Sequence, residues 1–153
     1  MQNKLIIRKM SIDDVDNVAS LEAQCFSHPW SRQAFLDALN NDYYMIYVAY
    51  LDDCHVGTAC YTKALDEADI SNVAVLDNCR QRGIAYLLLK ELLNEGHSKG
   101  VNHFTLEVRR GNSPAIKLYE KLGFVSEGIR PKFYRDPEED AVIMWHHDFG
   151  GLV

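Results

Sequence analysis

The chain has 153 residues, 47% of them hydrophobic and 25% charged, with a net charge of −6. That is the size and balance of one globular domain, residues 1–153, with a core of its own. It excludes a collagen, a disordered tail and a disulfide-dense toxin. The charge is uneven: residues 1–79 carry 5 Lys and Arg against 12 Asp and Glu, and residues 80–153 carry 11 against 10. This speaks against a basic nucleic-acid surface and leaves the acidic half either as ordinary solvated faces or as an attraction for a cationic partner. The longest apolar run, Tyr43 to Leu51, is too short to span a membrane, and Met1 to Ser11 shows no signal-peptide pattern. Cys25, Cys54, Cys60 and Cys79 form no Cys-x-x-Cys pair, so the expectation is a cytoplasmic chain with reduced thiols.

Taken in order, Leu5 to Arg8 reads as a first strand. Ser11 is a helix N-cap with Asp13, Asp14 and Asp16 in the first turn, and Val15, Val18, Leu21 and Cys25 recur at helical spacing. After Pro29, Ser31 caps a second helix with Phe35, Ala38 and Leu39 on its apolar face. Tyr43 to Tyr50 is a strand, Asp52 and Asp53 turn it, and Val56 to Lys63 returns as its hairpin partner. Glu67 to Val75 is a third run of strand character. Ile84, Leu87, Leu88, Leu92 and Leu93 form one helical stripe, ended by Gly96 or Gly100. Val101 to Val108 alternates, with Phe104, Leu106 and Val108 on one face and Thr105 and Glu107 on the other. Asn112, Ser113 and Pro114 open a last helix that Gly123 stops. Phe124 to Ile129 and Ala141 to His147 are final strands, joined by a loop from Pro131 to Asp140. The predicted fold is a three-layer α/β domain: a mixed, mostly antiparallel sheet with helices on both faces.

The segment from Val73 to Tyr86 runs strand, polar loop, helix. A helix N-terminus reached through such a loop presents unpaired N–H groups and the positive end of the dipole to an anion. Arg80 and Arg82 add positive charge, and Gly83 removes a side chain where a phosphate approaches the backbone. A pyrophosphate suits this place, but neither a Walker A loop nor a dinucleotide fingerprint is present. A strand-to-helix turn without a ligand is the competing reading.

The run Arg80-Gln81-Arg82-Gly83-Ile84-Ala85 resembles the Q/R-x-x-G-x-G/A signature of the GCN5-related N-acetyltransferases (GNAT), whose helix N-terminus holds the pyrophosphate of acetyl-coenzyme A. Leu106 to Arg109, Asn112 to Phe124 and Glu139 to Met144 follow at family-like spacings, and Pro29-Trp30-Ser31 fits near the front. Together these resemble the bacterial ribosomal-protein-alanine acetyltransferase subfamily over nearly the whole chain. Cys79 departs from the bulky residue common at its position, and the tail from His146 to Val153 is the chain's own.

The resemblance implies acetyl-coenzyme A as cosubstrate, no metal, and direct attack by the N-terminal α-amine of a ribosomal protein, alanine first. It implies no nucleic-acid or membrane partner, and a monomer or weak dimer. It assigns the pantetheine arm to main-chain groups of Val73, Ala74 and Val75, between strands 67–75 and 101–108 that splay apart. The pyrophosphate goes to Arg80, Gln81, Arg82, Gly83, Ile84, Ala85 and Tyr86. Asn112 contacts the cofactor, although its position also suits a helix cap. Glu107 becomes the general base that takes a proton from the amine; by alternation alone it is equally a surface carboxylate. Tyr119 becomes the general acid for the departing thiolate; by helical spacing alone it is a core aromatic. Trp30 and Tyr134 border the peptide entrance. His146 and His147, neighbours on a strand, point to opposite faces and share no metal. An acetyltransferase for a small amine and a non-catalytic coenzyme A-binding module are the alternatives.

Overall fold

In the computed structural model, residues 4–147 are described; most of the tail, residues 148–153, lies outside them. Seven strands form one sheet in the order β1-β2-β3-β4-β5-β7-β6. They are β1 (Leu5–Lys9), β2 (Tyr44–Leu51), β3 (Cys54–Ala64), β4 (Glu67–Val75), β5 (His103–Arg109), β6 (Val125–Tyr134) and β7 (Glu139–His147). The helices are α1 (Val15–Cys25), α2 (Arg32–Leu39), α3 (Ile84–Ser98) and α4 (Ser113–Lys121). The element order and the mixed, mostly antiparallel sheet are those the sequence predicts. The parallel pair is β4 with β5, joined by the α3 crossover that parallel strands require.

Alternation along β2 divides the core in two. Ile46 and Val48 face one side, where they meet Val15 and Val18 of α1 and Phe35 and Ala38 of α2. Tyr47 and Ala49 face the other, with Leu88, Leu89, Leu92 and Leu93 of α3. The apolar residues of β5 and Tyr119 of α4 share this second core. At the start of α1, Ser11 opens a 3₁₀ turn, Ile12–Asp14, before the α-helix begins at Val15. Asp14 is buried there, receiving both ends of the Arg8 guanidinium at 2.7 and 2.9 Å and the Tyr50 hydroxyl at 2.6 Å. Burial alone would raise its pKa, but these bonds and the Ser11 N–H hold the carboxyl well below the usual range.

One predicted boundary is settled between its two alternatives and one is corrected. Gly96 does not end α3: the helix runs to Ser98 and closes on Gly100 in a Schellman motif, with Val101 N–H on the Gly96 carbonyl at 2.9 Å and Gly100 N–H on that of His97 at 3.1 Å. The loop placed at Pro131 to Asp140 is mostly strand, because β6 continues to Tyr134 and β7 starts at Glu139. Pro131 is tolerated because β6 is an edge strand whose register on β7 breaks between Arg130 and Tyr134, so the missing N–H removes no regular ladder bond. Tyr134 therefore sits at a strand end rather than in a loop.

Gly96 is buried where α3 crosses β5, and a Cβ there would lie 2.5 Å from Cζ of the fully buried Phe104. Overpacking of this kind costs about 1–3 kcal/mol, which outweighs the roughly 1 kcal/mol that alanine gains over glycine as a helix former. Gly96→Ala is therefore expected to melt a few degrees lower than the parent chain in a thermal scan. An unchanged or higher Tm would show that Phe104 gives way freely.

Candidate active site

Pairing between β4 and β5 covers three residue pairs: Glu67 with His103, Ala68 with Phe104 and Asp69 with Thr105. Both strands run on, to Val75 and Arg109, without further pairing to each other. The gap opens into a cleft of about 830 Å³, walled by Asp69 to Val73 of β4, Leu106 to Arg109 of β5, Asn112 and Tyr119, the end of α1 and the loop to Trp30, and Phe133 to Arg135.

The parting has a local cause. β4 carries a bulge: Thr58 pairs Ala74 and Cys60 pairs Ser71, so Asn72 and Val73 stand against Ala59 alone. Asn72 adopts φ +56°, a left-handed conformation that asparagine tolerates better than most residues. Its amide donates to Glu22 of α1 at 2.8 Å, and the same carboxylate oxygen accepts from the Trp30 N–H at 3.1 Å. Glu22 is 4% exposed and its pKa is raised by burial, with those two hydrogen bonds opposing. One buried carboxylate thus ties the bulge to the loop bordering the cleft. Neither Glu22 nor Asn72 stands out as functional in the sequence, yet each carries a signal. Glu22 falls on the apolar stripe of α1, and an asparagine inside a strand marks a bulge.

Glu107 projects from β5 on the face opposite Phe104, Leu106 and Val108, as the alternation predicts. Its side chain is 21% exposed, and Arg130 Nε stands 3.6 Å from its carboxylate. Tyr119 reaches the cleft from α4. That helix closes on Gly123 in a second Schellman motif, with Phe124 N–H on the Tyr119 carbonyl at 2.9 Å and the two rings 5.9 Å apart. Tyr119 is a member of the second core, as its helical spacing predicts, and it also lines the cleft. Burial raises its pKa well above that of a free phenol, with the charge of Tyr134 adding to it, so the hydroxyl keeps its proton at any physiological pH. Burial, then the charge of Glu107, push Tyr134 up to about 12, and Arg109 opposes from 4.5 Å over its ring.

Trp30 lines the cleft while packing on Phe35 and Tyr44, at 5.2 and 6.0 Å between ring centres. Asn112 caps α4, accepting the Ala115 N–H at 3.3 Å. Val73 lines the cleft; Ala74 and Val75 continue its strand and are buried. The Val75 carbonyl receives Arg80 Nε at 3.2 Å and the Cys25 thiol at 3.8 Å. Arg80 also pairs with Asp77 at 3.1 Å, which makes it a brace of the loop. Burial raises the Cys25 pKa, so it remains a thiol.

Arg80, Gln81, Arg82, Gly83, Ile84, Ala85 and Tyr86 do not line this cleft; they form the turn beyond β4 and the first residues of α3. Gln81 and Gly83 both have positive φ, +65° and +79°, which aim the chain into the helix. No side chain caps the α3 N-terminus, and a Cβ on Gly83 would meet no protein atom within 4 Å. The space beside Gly83 is therefore open, and a helix N-terminus without a side-chain cap is the kind of place an anion can bind. Tyr86 lies under the Lys121 ammonium at 5.3 Å, linking α3 to the end of α4. His146 and His147 point to opposite faces, toward Phe124 and toward Glu127.

The acetyltransferase (GNAT) family model matches residues 15–124. A putative [ribosomal protein bS18]-alanine N-acetyltransferase of Bacillus subtilis is 34% identical over 146 residues, 95% of this chain and 97% of that one. The [ribosomal protein bS18]-alanine N-acetyltransferase of Salmonella typhimurium is 34% identical over 137 residues, covering 88% and 92%. The crystal structure of the ribosomal-protein-S18-alanine N-acetyltransferase from Escherichia coli superposes with a TM-score of 0.85 at 31% identity, over 94% of each chain. The parted β4–β5 pair, the open N-terminus of α3 and these likenesses agree: the chain belongs to the GNAT acetyltransferase family.

Proposed function

We propose that this enzyme transfers acetyl from acetyl-coenzyme A to the N-terminal α-amine of a ribosomal protein, alanine first, in the cytoplasm. The observation that carries the reading is the convergence of Glu107 and Tyr119, from separate elements, on one cleft beside the unpaired edge of β4. The names of the relatives supply the acceptor. The open first turn of α3 suits the pyrophosphate, and the free main-chain edge of β4 suits the amide-bearing pantetheine arm. Bound there, the thioester supplies an activated acetyl group.

The chain's own residues supply the rest. An α-amine with a pKa near ~8 arrives mostly protonated at neutral pH. Glu107 accepts that proton, directly or through one water. Its ion pair with the half-exposed Arg130 is worth at most about 1 kcal/mol, so an arriving ammonium can take the guanidinium's place. Tyr119, kept protonated by burial, holds a proton toward the leaving sulfur. The cysteine near the cleft, Cys25, is a thiol occupied by the Val75 carbonyl, which suits attack without an acyl-enzyme.

The direct test presents acetyl-coenzyme A with alanine-starting peptides, N-terminally blocked peptides with an internal lysine, and free polyamines, with acetylation read by mass spectrometry. A lysine amine near ~10.4 needs roughly 3 kcal/mol more to deprotonate at neutral pH than an α-amine. Only the alanine-starting set is expected to react well; equal rates on blocked lysine peptides would contradict the reading.

Gly83→Val directs a branched side chain into the open space before α3 and is expected to weaken coenzyme A binding at least about tenfold, ~1.4 kcal/mol. Unchanged affinity by calorimetry in a folded variant would remove this turn from the site.

Glu107→Gln keeps shape but loses basicity. Its turnover at neutral pH should drop by a factor of about 10² to 10⁴ and recover partly at high pH, where more amine is already neutral. Tyr119→Phe should also be slow, without that recovery. Wild-type turnover in Glu107→Gln across the whole pH–rate profile would make Glu107 a surface carboxylate.

A further inference from the structure

Glu107 shares the cleft with a second carboxylate. Asp69 belongs to the last registered pair of β4 and β5, opposite Thr105. Its neighbours Ala68 and Ile70 point into the α3 core, so Asp69 points to the other face. Thr105 and Glu107 point to that same face, because Phe104, Leu106 and Val108 occupy the α3 side. Glu107 lies two residues beyond Thr105 on the neighbouring strand, near enough for its charge to act on Asp69. Both side chains line the cleft at the point where the strands part.

The site so formed carries two negative charges. Arg130, 55% exposed, is a cation that acts on both. Glu22, Cys25, His28, Arg109, Tyr119, Tyr134 and Arg135 are the other titratable or charged groups that line the cleft. An ammonium offers three N–H donors and one positive charge, enough to bond both carboxylates at once. The acetylated product offers one N–H and no charge.

On the reading that the acceptor is a peptide N-terminus, we propose that Asp69 is an acceptor-binding residue: its carboxylate receives the incoming ammonium and holds it beside Glu107, which takes the proton. The same pair loses its grip once the nitrogen becomes a neutral amide, so Asp69 also favours product release. Asp69 remains partly exposed to solvent; loss of water on its covered side, then the charge of Glu107, push the carboxyl up to about 6, with Arg130 opposing. Asp69 therefore gives up its charge as pH falls from 7 to 5, a range in which an α-amine with pKa near ~8 stays protonated. Acceptor affinity falls in that window because of the enzyme rather than the peptide.

The test measures steady-state kinetics of Asp69→Asn and the parent enzyme with saturating acetyl-coenzyme A and an alanine-starting peptide. The KM for peptide should rise roughly ten- to hundredfold, the range for a lost charge-assisted hydrogen bond. The kcat should change far less. Between pH 7 and 5 the parent KM should climb while the variant's stays flat, and Asp69→Glu should restore part of the affinity. The N-acetylated product peptide, which has no ammonium, should inhibit both enzymes equally. If Asp69→Asn fails to fold, Asp69→Ser carries the same comparison. A parent-like KM in the folded variant overturns the proposal. So does an equal loss of affinity for the acetylated peptide, or a fall in kcat alone. If the parent enzyme acetylates no N-terminal peptide, the acceptor reading itself has failed and the assignment of Asp69 falls with it.

Discussion

Between β4 and β5 the sheet is held by three registered pairs, and the site depends on the parting beyond Asp69 and Thr105. A parallel pair that continued to Val75 would satisfy the main-chain groups of β4 and leave no room for a cosubstrate. What keeps it from closing is the bulge at Asn72 and Val73, which bends β4 and raises its twist. The buried Glu22 holds that bulge through Asn72 and holds the Trp30 N–H with the same oxygen. Removing one partner from a buried hydrogen-bonded carboxylate is costly, so the cleft wall and its border stand or fall together.

Around this gap the two cores act as separate supports. α1 and α2 fix the Trp30 side of the cleft through Val15, Val18 and Phe35. On the other side, Leu88, Leu89, Leu92 and Leu93 of α3 are buried, so that its first turn is held at the end of β4. Tyr119 is positioned by neither alone. The Schellman motif at Gly123 and its contact with Phe124 set the ring against the second core while its edge reaches the cleft. The same burial keeps its proton in place, so the packing that makes Tyr119 a core residue also suits it to donate.

How much of this was legible in the sequence follows from the range of each signal. Glu107 was readable because alternation over Phe104, Leu106 and Val108 decides its face with no knowledge of the rest of the chain. The Gly83 turn was readable because strand, polar loop and helix are consecutive. Gly96 and Gly100 are alternative ends of α3 by sequence, because a glycine late in a helix reads as a terminator; the reason for Gly96 is Phe104 on another element, 2.5 Å from where a Cβ would lie. The reach of β6 was hidden by Pro131, whose tolerance depends on β6 being an edge strand. Glu22 and Asp69 do not stand out in the sequence, because the groups that act on them lie far along the chain, Asn72 for one and Glu107 for the other. The proposed cosubstrate, acid–base roles and acceptor rest on family resemblance rather than on spacing.

Residue-resolved amide hydrogen exchange, with and without acetyl-coenzyme A, tests the central claim most directly. The free protein has main-chain groups on the open edge of β4 between Ile70 and Val75, and at the first turn of α3 from Ile84 to Tyr86. Addition of the cosubstrate is expected to slow exchange at these two places together. Protection that leaves both unchanged, and appears instead at the smaller hollow beside Lys9, Met10, Leu39 and Tyr44, would contradict the account.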